Sequence, residues 1–302
     1  MSSSRRTTPL KMFWKNYGTG TMFFLPFLVL FIIFLVIPVA TAVVLSFTDY
    51  DIMSSPVWVG IDNYRQLFIH DEEFSIAFKN TLLFALVIGP FAFIFSFLMA
   101  WIINQLKFRD AFTLAFYVPS IASGSAMATI WGLIFSNDRY GIINSFLYNL
   151  GIISTPIMFS ADEKWIMPII MLLYVWQSLG AGFLSFLAGL QGVSGELYEA
   201  GMVDGISNRI QELWYITLPQ MKPQLLFASI TGITGVFGVF DISVQFAGLP
   251  SANYAGHTLA IHLYDHAFIR FEMGYACACA VVLCVMVYIV GKICRKLFAS
   301  GL

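Results

Sequence analysis

Six apolar segments, each long enough to cross a lipid bilayer, restrict the fold of this chain more than anything else in its sequence. They cover residues 21–48, 81–103, 111–135, 165–190, 223–246 and 273–291. A spanning helix needs about 20 apolar residues. The bilayer interior supplies no water to exposed peptide groups, so each segment must satisfy its backbone internally. Asp241, in the fifth, is the only Asp, Glu, Lys or Arg in the six. The sequence is therefore read as an all-α integral membrane protein of about six transmembrane helices.

Composition agrees. Charged residues make up 11% of the chain and hydrophobic ones 59%, whereas soluble domains carry about a quarter charged residues. No basic run is long enough to follow a phosphate backbone, which argues against a nucleic-acid partner. The first segment follows Arg5, Arg6, Lys11 and Lys15, and Ala40-Thr41-Ala42 resembles a cleavage site. Its apolar run exceeds the roughly 7–15 residues of a signal sequence, so it is read as a retained span. Cys277, Cys279, Cys284 and Cys294 all fall in or beside the sixth segment and are read as small buried hydrophobes.

Lys and Arg concentrate on the cytoplasmic side of membrane proteins. With the N-terminus inside, 11 of them fall on the cytoplasmic side and 5 outside. Both termini are thus expected in the cytoplasm. Residues 1–20 form a cytoplasmic N-terminal segment, and 21–302 a transmembrane domain with one long cytoplasmic loop, 191–222. The outer loop between the first two spans is only about 30 residues long. Within the cytoplasmic loop, a helical stretch opens at Gly195, Gly205 interrupts it, and a second stretch ends at Pro219. A helix-turn-helix lying on the membrane surface suits a soluble partner.

The residues of that loop are specific. Glu199-Ala200-Gly201, Asp204-Gly205 and Ile216-Thr217-Leu218-Pro219 resemble the EAA loop of ATP-binding-cassette (ABC) importer permeases. Leu187 to Gln191 and Lys222-Pro223 resemble its flanks in the carbohydrate branch. Val59 to Tyr64, Asn80-Thr81, Trp131-Gly132, Gly141 to Asn144 and Thr258-Leu259 extend the likeness over most of the chain. The match is to the first permease of a maltose-type pair. The resemblance implies a type I importer fold in a bacterial inner membrane. It also implies a heterodimer with a second, homologous permease, two ATPase subunits and an extracytoplasmic solute-binding protein. In that family the loop is the coupling helix that docks on the ATPase. Glu199, Ala200, Gly201, Asp204, Gly205, Ile216, Leu218 and Pro219 are its candidate residues here. ATP and Mg would sit on the partner ATPase and no cofactor on this chain, which has no phosphate-binding loop of the Gly-rich, Lys-Ser/Thr type.

Two features depart from the family pattern. Gly201 stands where Ala is usual, which costs up to about 1 kcal/mol of helix stability. Ten residues lie between Gly205 and Ile216, one more than usual. One extra residue would rotate the next helical face by about 100°, so it is placed in the turn.

Inside the membrane, ionisable residues are costly and usually face a cavity or a polar partner. Asp241 and Gln245, one turn apart, are candidates for a sugar path unless Asp241 lies at the outer interface. Trp176 and Gln177 are candidates too, since sugars bind through aromatic faces and hydrogen bonds. Gly232, Gly235 and Gly238 form a small-residue row that permits close helix approach. His262 and His266 have a spacing that could hold a metal, but the resemblance gives that region no metal role and none is expected. The alternative function is a secondary transporter working without an ATPase. Such proteins are usually built from repeated halves with interrupted helices, and no such repeat is evident. A membrane-embedded enzyme would need a polar catalytic constellation within the spans, and the sequence holds none.

Overall fold

The computed structural model describes residues 9–122 and 124–300, with side chains described from residue 20 to 296 apart from 123 and 125. Four helical spans are long and apolar enough to cross a membrane: Gly20–Leu45, Glu72–Asn104, Lys222–Ala247 and Met273–Lys296. Two more are assembled from bent pairs. Arg109–Ile121 is followed by Gly124–Ile134, and Glu163–Gln177 by Ala181–Gly192, the latter pair bent by 40°. The only strands among the described residues are the pair Thr48–Asp49 and Val57–Trp58, a short antiparallel hairpin just after the first span.

The third and fourth spans are thus broken where the sequence suggests continuous helices, and each break has a local cause. Ala122 is extended. Ser120 and Ser178 turn their hydroxyls back onto carbonyls three residues earlier, at 2.8 and 2.6 Å, which competes with regular helix geometry. Gly180 adopts φ −108°, ψ −132°, outside the regions open to most residues, and a Cβ on it would lie 3.4 Å from Ser120. The two breaks therefore abut. A third break interrupts the fifth span at Gly238–Phe240, between Lys222–Phe237 and Asp241–Ala247.

The interior is divided along the spans. At one end Phe97, Phe183, Phe186, Leu187, Met221 and Leu225 interlock, with Phe93 and Phe97 both edge-on to Phe186 at 5.3 and 5.4 Å. Phe84, Ile88, Ile166, Ile170 and Val236 form the next layer. Beyond them Leu67, Phe74, Leu259, Tyr275 and Cys279 seal the far end. The first span contributes little to this core. Its side chains lie almost wholly on the surface, so a row of Phe, Leu, Ile and Val faces outward, as lipid or a second membrane protein requires. A π turn at Ile32–Val36 precedes Pro38, relieving the clash of a proline ring with the preceding turn.

The cysteines are free. Cys279 is buried as expected, but Cys284 is exposed on the apolar flank of the sixth span. It serves as a lipid-compatible surface residue and not as core. Of the glycine row, Gly235 abuts the Tyr174 hydroxyl, whereas Gly232 meets nothing and Gly238 ends the helix.

Candidate functional site

Two sites follow from this architecture: a cavity beside the helix breaks and a helical knob at one end.

The breaks make the cavity. Helix Gly124–Ile134 starts after the first break, Glu163–Gln177 stops at the second, and Asp241–Ala247 starts after the third. Irregular backbone at membrane depth is tolerated where it is buried in protein or lines a polar cavity. Between these three helices lies a cavity of about 410 Å³, within the range of small-ligand sites. Trp131, Phe135, Asn137, Asp138, Gln177 and Gln245 are among its lining residues. The indole Nε1 of Trp131 is buried without a hydrogen-bond partner. Gln245 lies so close to Gly124 that a Cβ there would stand 2.6 Å from its amide nitrogen. An aromatic wall with amides and a carboxylate is chemistry suited to a polyhydroxylated ligand.

The structure brings together two of the four residues expected on the path, Gln177 and Gln245. Trp176 is not on the wall but packs edge-on against Trp131 at 4.3 Å, supporting it from behind. Asp241 opens the short helix Asp241–Ala247, is exposed and lies off the lining. The residues that sequence reasoning missed are Trp131, Asn137 and Asp138. The Trp131-Gly132 motif was a signal for the first, whereas Asn137 and Asp138 lie just past the third apolar segment, where hydropathy says nothing.

The quoted motifs outside the knob act as polar clamps on loops. Asn63 donates to the carbonyls of Ser46 and Thr48 at 3.0 and 2.8 Å, after Gly60 turns the chain at φ +63°. Buried Asn144 donates to Ser136 and Ile157 carbonyls at 2.9 and 3.0 Å and accepts from the Ile157 N–H at 2.9 Å. Asn80 holds the carbonyls of Tyr254 and His257, and the Thr81 hydroxyl accepts from the Leu259 N–H at 2.9 Å. Buried polar side chains of this kind fix loop register because an unmade bond is costly.

The knob comprises helix Gly195–Val203, a turn, and Arg209–Gln220. Ser194 caps the first helix by accepting from the Glu196 N–H at 3.3 Å. Gly205 ends it at φ +94°, with Ile206 N–H bonded to Gly201 O at 2.9 Å and Gly205 N–H to Met202 O at 3.2 Å. That pair of bonds is a Schellman cap, which requires a left-handed residue at this position. Gly201 is buried, and a Cβ on it would stand 2.7 Å from Ile216 Cδ1. Its apparent weakness as a helix former is the condition for close packing of the two helices. Tyr198 and Thr217 hydroxyls bond at 2.9 Å across the same seam.

The extra residue expected in the turn has another home. Leu213–Thr217 form a π turn, with Leu218 N–H bonded to Leu213 O. A π turn absorbs one additional residue within a helix, which keeps Ile216 and Thr217 facing inward. Glu199, Ala200, Asp204 and Gly205 are exposed, Leu218 and Pro219 half-buried, and Gly201 and Ile216 buried in the seam.

A multi-pass helical bundle with three broken spans, an internal polar-aromatic cavity and an amphipathic knob at one end defines a membrane permease. The scan of family models finds none that matches, but individual relatives are informative. The chain is 35% identical over 290 residues to a probable ABC transporter permease protein, YesP, of Bacillus subtilis, covering 95% of this chain and 91% of that one. It is 31% identical to the arabinooligosaccharides transport system permease protein AraP of Bacillus subtilis, over 99% of this chain and 94% of the other. The fold is similar to that in a crystal structure of a bacterial ABC transporter involved in the import of the acidic polysaccharide alginate. The TM-score is 0.81 at 22% identity, with 97% of this chain and 99% of that chain covered. The chain therefore belongs to the family of ABC sugar-importer permeases.

Proposed function

We propose that this permease imports a sugar or oligosaccharide, driven by ATPase subunits that dock on the knob at residues 194–221. The observation that carries this reading is the outer surface of the knob. Met202, Val203, Ile210, Trp214 and Tyr215 are exposed there, Val203 at 88% and Trp214 at 62%. The knob lies beyond the spans, and an exposed apolar patch of this kind needs a protein partner. The Lys and Arg asymmetry supports a cytoplasmic position for the knob and for both termini. ATP and Mg belong to the partner ATPase. The exposed first span supports pairing with a second, homologous permease in a bacterial cytoplasmic membrane.

Aromatic and amide groups in the cavity support a carbohydrate cargo. One similar structure is that of a bacterial alginate ABC transporter in complex with an alginate pentasaccharide-bound periplasmic protein. That likeness supports delivery of the cargo from an extracytoplasmic binding protein to the far end. A secondary-transport mechanism has less support, because the named relatives are ABC permeases.

Val203→Asp and Glu199→Ala test the docking role, since both side chains are exposed on the knob. In the reconstituted transporter, each variant should lose the ATPase on purification or hydrolyse ATP without uptake. Normal uptake by both would contradict the assignment.

A further inference from the structure

Opposite the knob, the far end holds a cluster that the transport reading leaves unused. Asp71 caps the second span, accepting the Phe74 N–H on Oδ1 at 2.8 Å. Its other oxygen, Oδ2, lies 3.3 Å from His262 Nε2 and 4.0 Å from His266 Nε2. The three ligand atoms lie within 4.8 Å of one another. The side chain of His262 is 0% exposed and that of His266 4%.

Hydrogen bonding fixes how His266 presents itself. Its Nδ1 faces Glu272 Oε2 at 2.6 Å. Nδ1–H donated to that carboxylate leaves the lone pair on Nε2, which is buried without a hydrogen-bond partner. That lone pair looks toward Asp71 Oδ2. Asp71 Oδ2, half-buried and also accepting from the Tyr275 hydroxyl, faces that lone pair at 4.0 Å, and a cation between the two would give the buried Nε2 the partner it lacks.

A neighbouring group, Glu73 with Asp265 and His266, also has ligand spacing. There a cation is already in place, because Arg270 bonds Glu73 and Asp265 at 2.7 Å each. The group formed by Asp71, His262 and His266 has no such resident.

We propose that Asp71, His262 and His266 form a binding site for a divalent cation of the zinc class, with Glu272 orienting His266. Two imidazoles and a carboxylate suit Zn²⁺. Bonds of about 2.0–2.2 Å in tetrahedral geometry put ligand atoms roughly 3.3–3.5 Å apart. The 3.3 Å pair already has that separation, and the 4.0 Å pair needs a shift of well under 1 Å. Three protein ligands leave one position for water. A carboxylate on the far nitrogen of a ligating histidine is the usual second layer of such sites.

A bound ion would tie the start of the second span to the helix Leu259–Tyr264 and to the turn before the sixth span.

The test uses the full chain, free of any histidine tag, in detergent. Metal content after equilibration in buffered Zn²⁺ should be one equivalent, and Co²⁺ should give visible d–d absorption. Asp71→Asn keeps an acceptor for the Phe74 N–H, so the span cap survives, yet it and His266→Gln should each weaken Zn²⁺ at least about 100-fold. Glu272→Gln should weaken it about 10- to 100-fold. His70→Gln, next to Asp71 in the chain but with an exposed side chain outside the ligand set, should bind as the parent does. Zn²⁺ should also raise the Tm of the parent but not of Asp71→Asn. The proposal is overturned if the parent holds no more Zn²⁺ or Co²⁺ than Asp71→Asn, or if Zn²⁺ shifts both melting curves equally.

Discussion

Replacing Gly205 by alanine isolates one backbone term in the knob. Gly205 sits at φ +94°, and a Cβ built on it meets nothing within 4 Å. The substitution therefore adds no clash and removes no packing. What remains is the cost of holding an L-residue in left-handed geometry, about 1–2 kcal/mol. The bonds that depend on this geometry are Ile206 N–H to Gly201 O and Gly205 N–H to Met202 O. At about 1.4 kcal/mol per factor of ten, local opening of the cap should rise about 5- to 30-fold. Hydrogen exchange of the Ile206 amide, measured in nanodiscs, reads that opening directly. Gly205→Asn should exchange more slowly than Gly205→Ala, since Asn enters the left-handed region more readily. Gly195→Ala, where φ is not positive and space is open, should leave the amide unchanged. Exchange in Gly205→Ala within a factor of two of the parent would refute the reasoning.

Asn144→Ala removes four hydrogen bonds from a buried loop clamp. Leaving those backbone groups unsatisfied should cost about 2–3 kcal/mol, seen as a lower Tm in a fluorescence melt; an unchanged Tm would contradict the clamp. Gly274→Ala would place a Cβ 2.0 Å from the Thr48 carbonyl oxygen and strain the Gly274 N–H to Tyr50 O bond. It should abolish monodisperse protein in size-exclusion chromatography, while Gly291→Ala, in open space, should not. Gln177→Ala with Gln245→Ala should raise the KM for uptake while leaving ATPase association intact. Asp241→Asn, off the cavity wall, should change KM much less; the reverse order would move the substrate path away from this cavity.

The number of spans was legible because hydropathy reports burial in lipid directly. Helix breaks were not, since an apolar run reads the same whether or not it bends at Gly180 or Gly238. Those breaks position the cavity, which explains why Gln177 and Gln245 could be named but Asn137 and Asp138 could not. The knob was legible through its motif, and the structure supplies the physics: Gly205 for the cap, Gly201 for room against Ile216, and a π turn for the additional residue. His262 and His266 have a metal-compatible spacing in the sequence, yet no metal was expected there. Asp71 lies far away in the chain and joins them only after folding.

ATP dependence of uptake tests the central claim most directly. The chain should be reconstituted in proteoliposomes with its companion permease, ATPase and binding protein, with labelled oligosaccharide outside. Uptake should require ATP on the knob side, stop in Val203→Asp, and persist when ion gradients are collapsed. Uptake that follows an ion gradient and proceeds without nucleotide or ATPase would contradict the account.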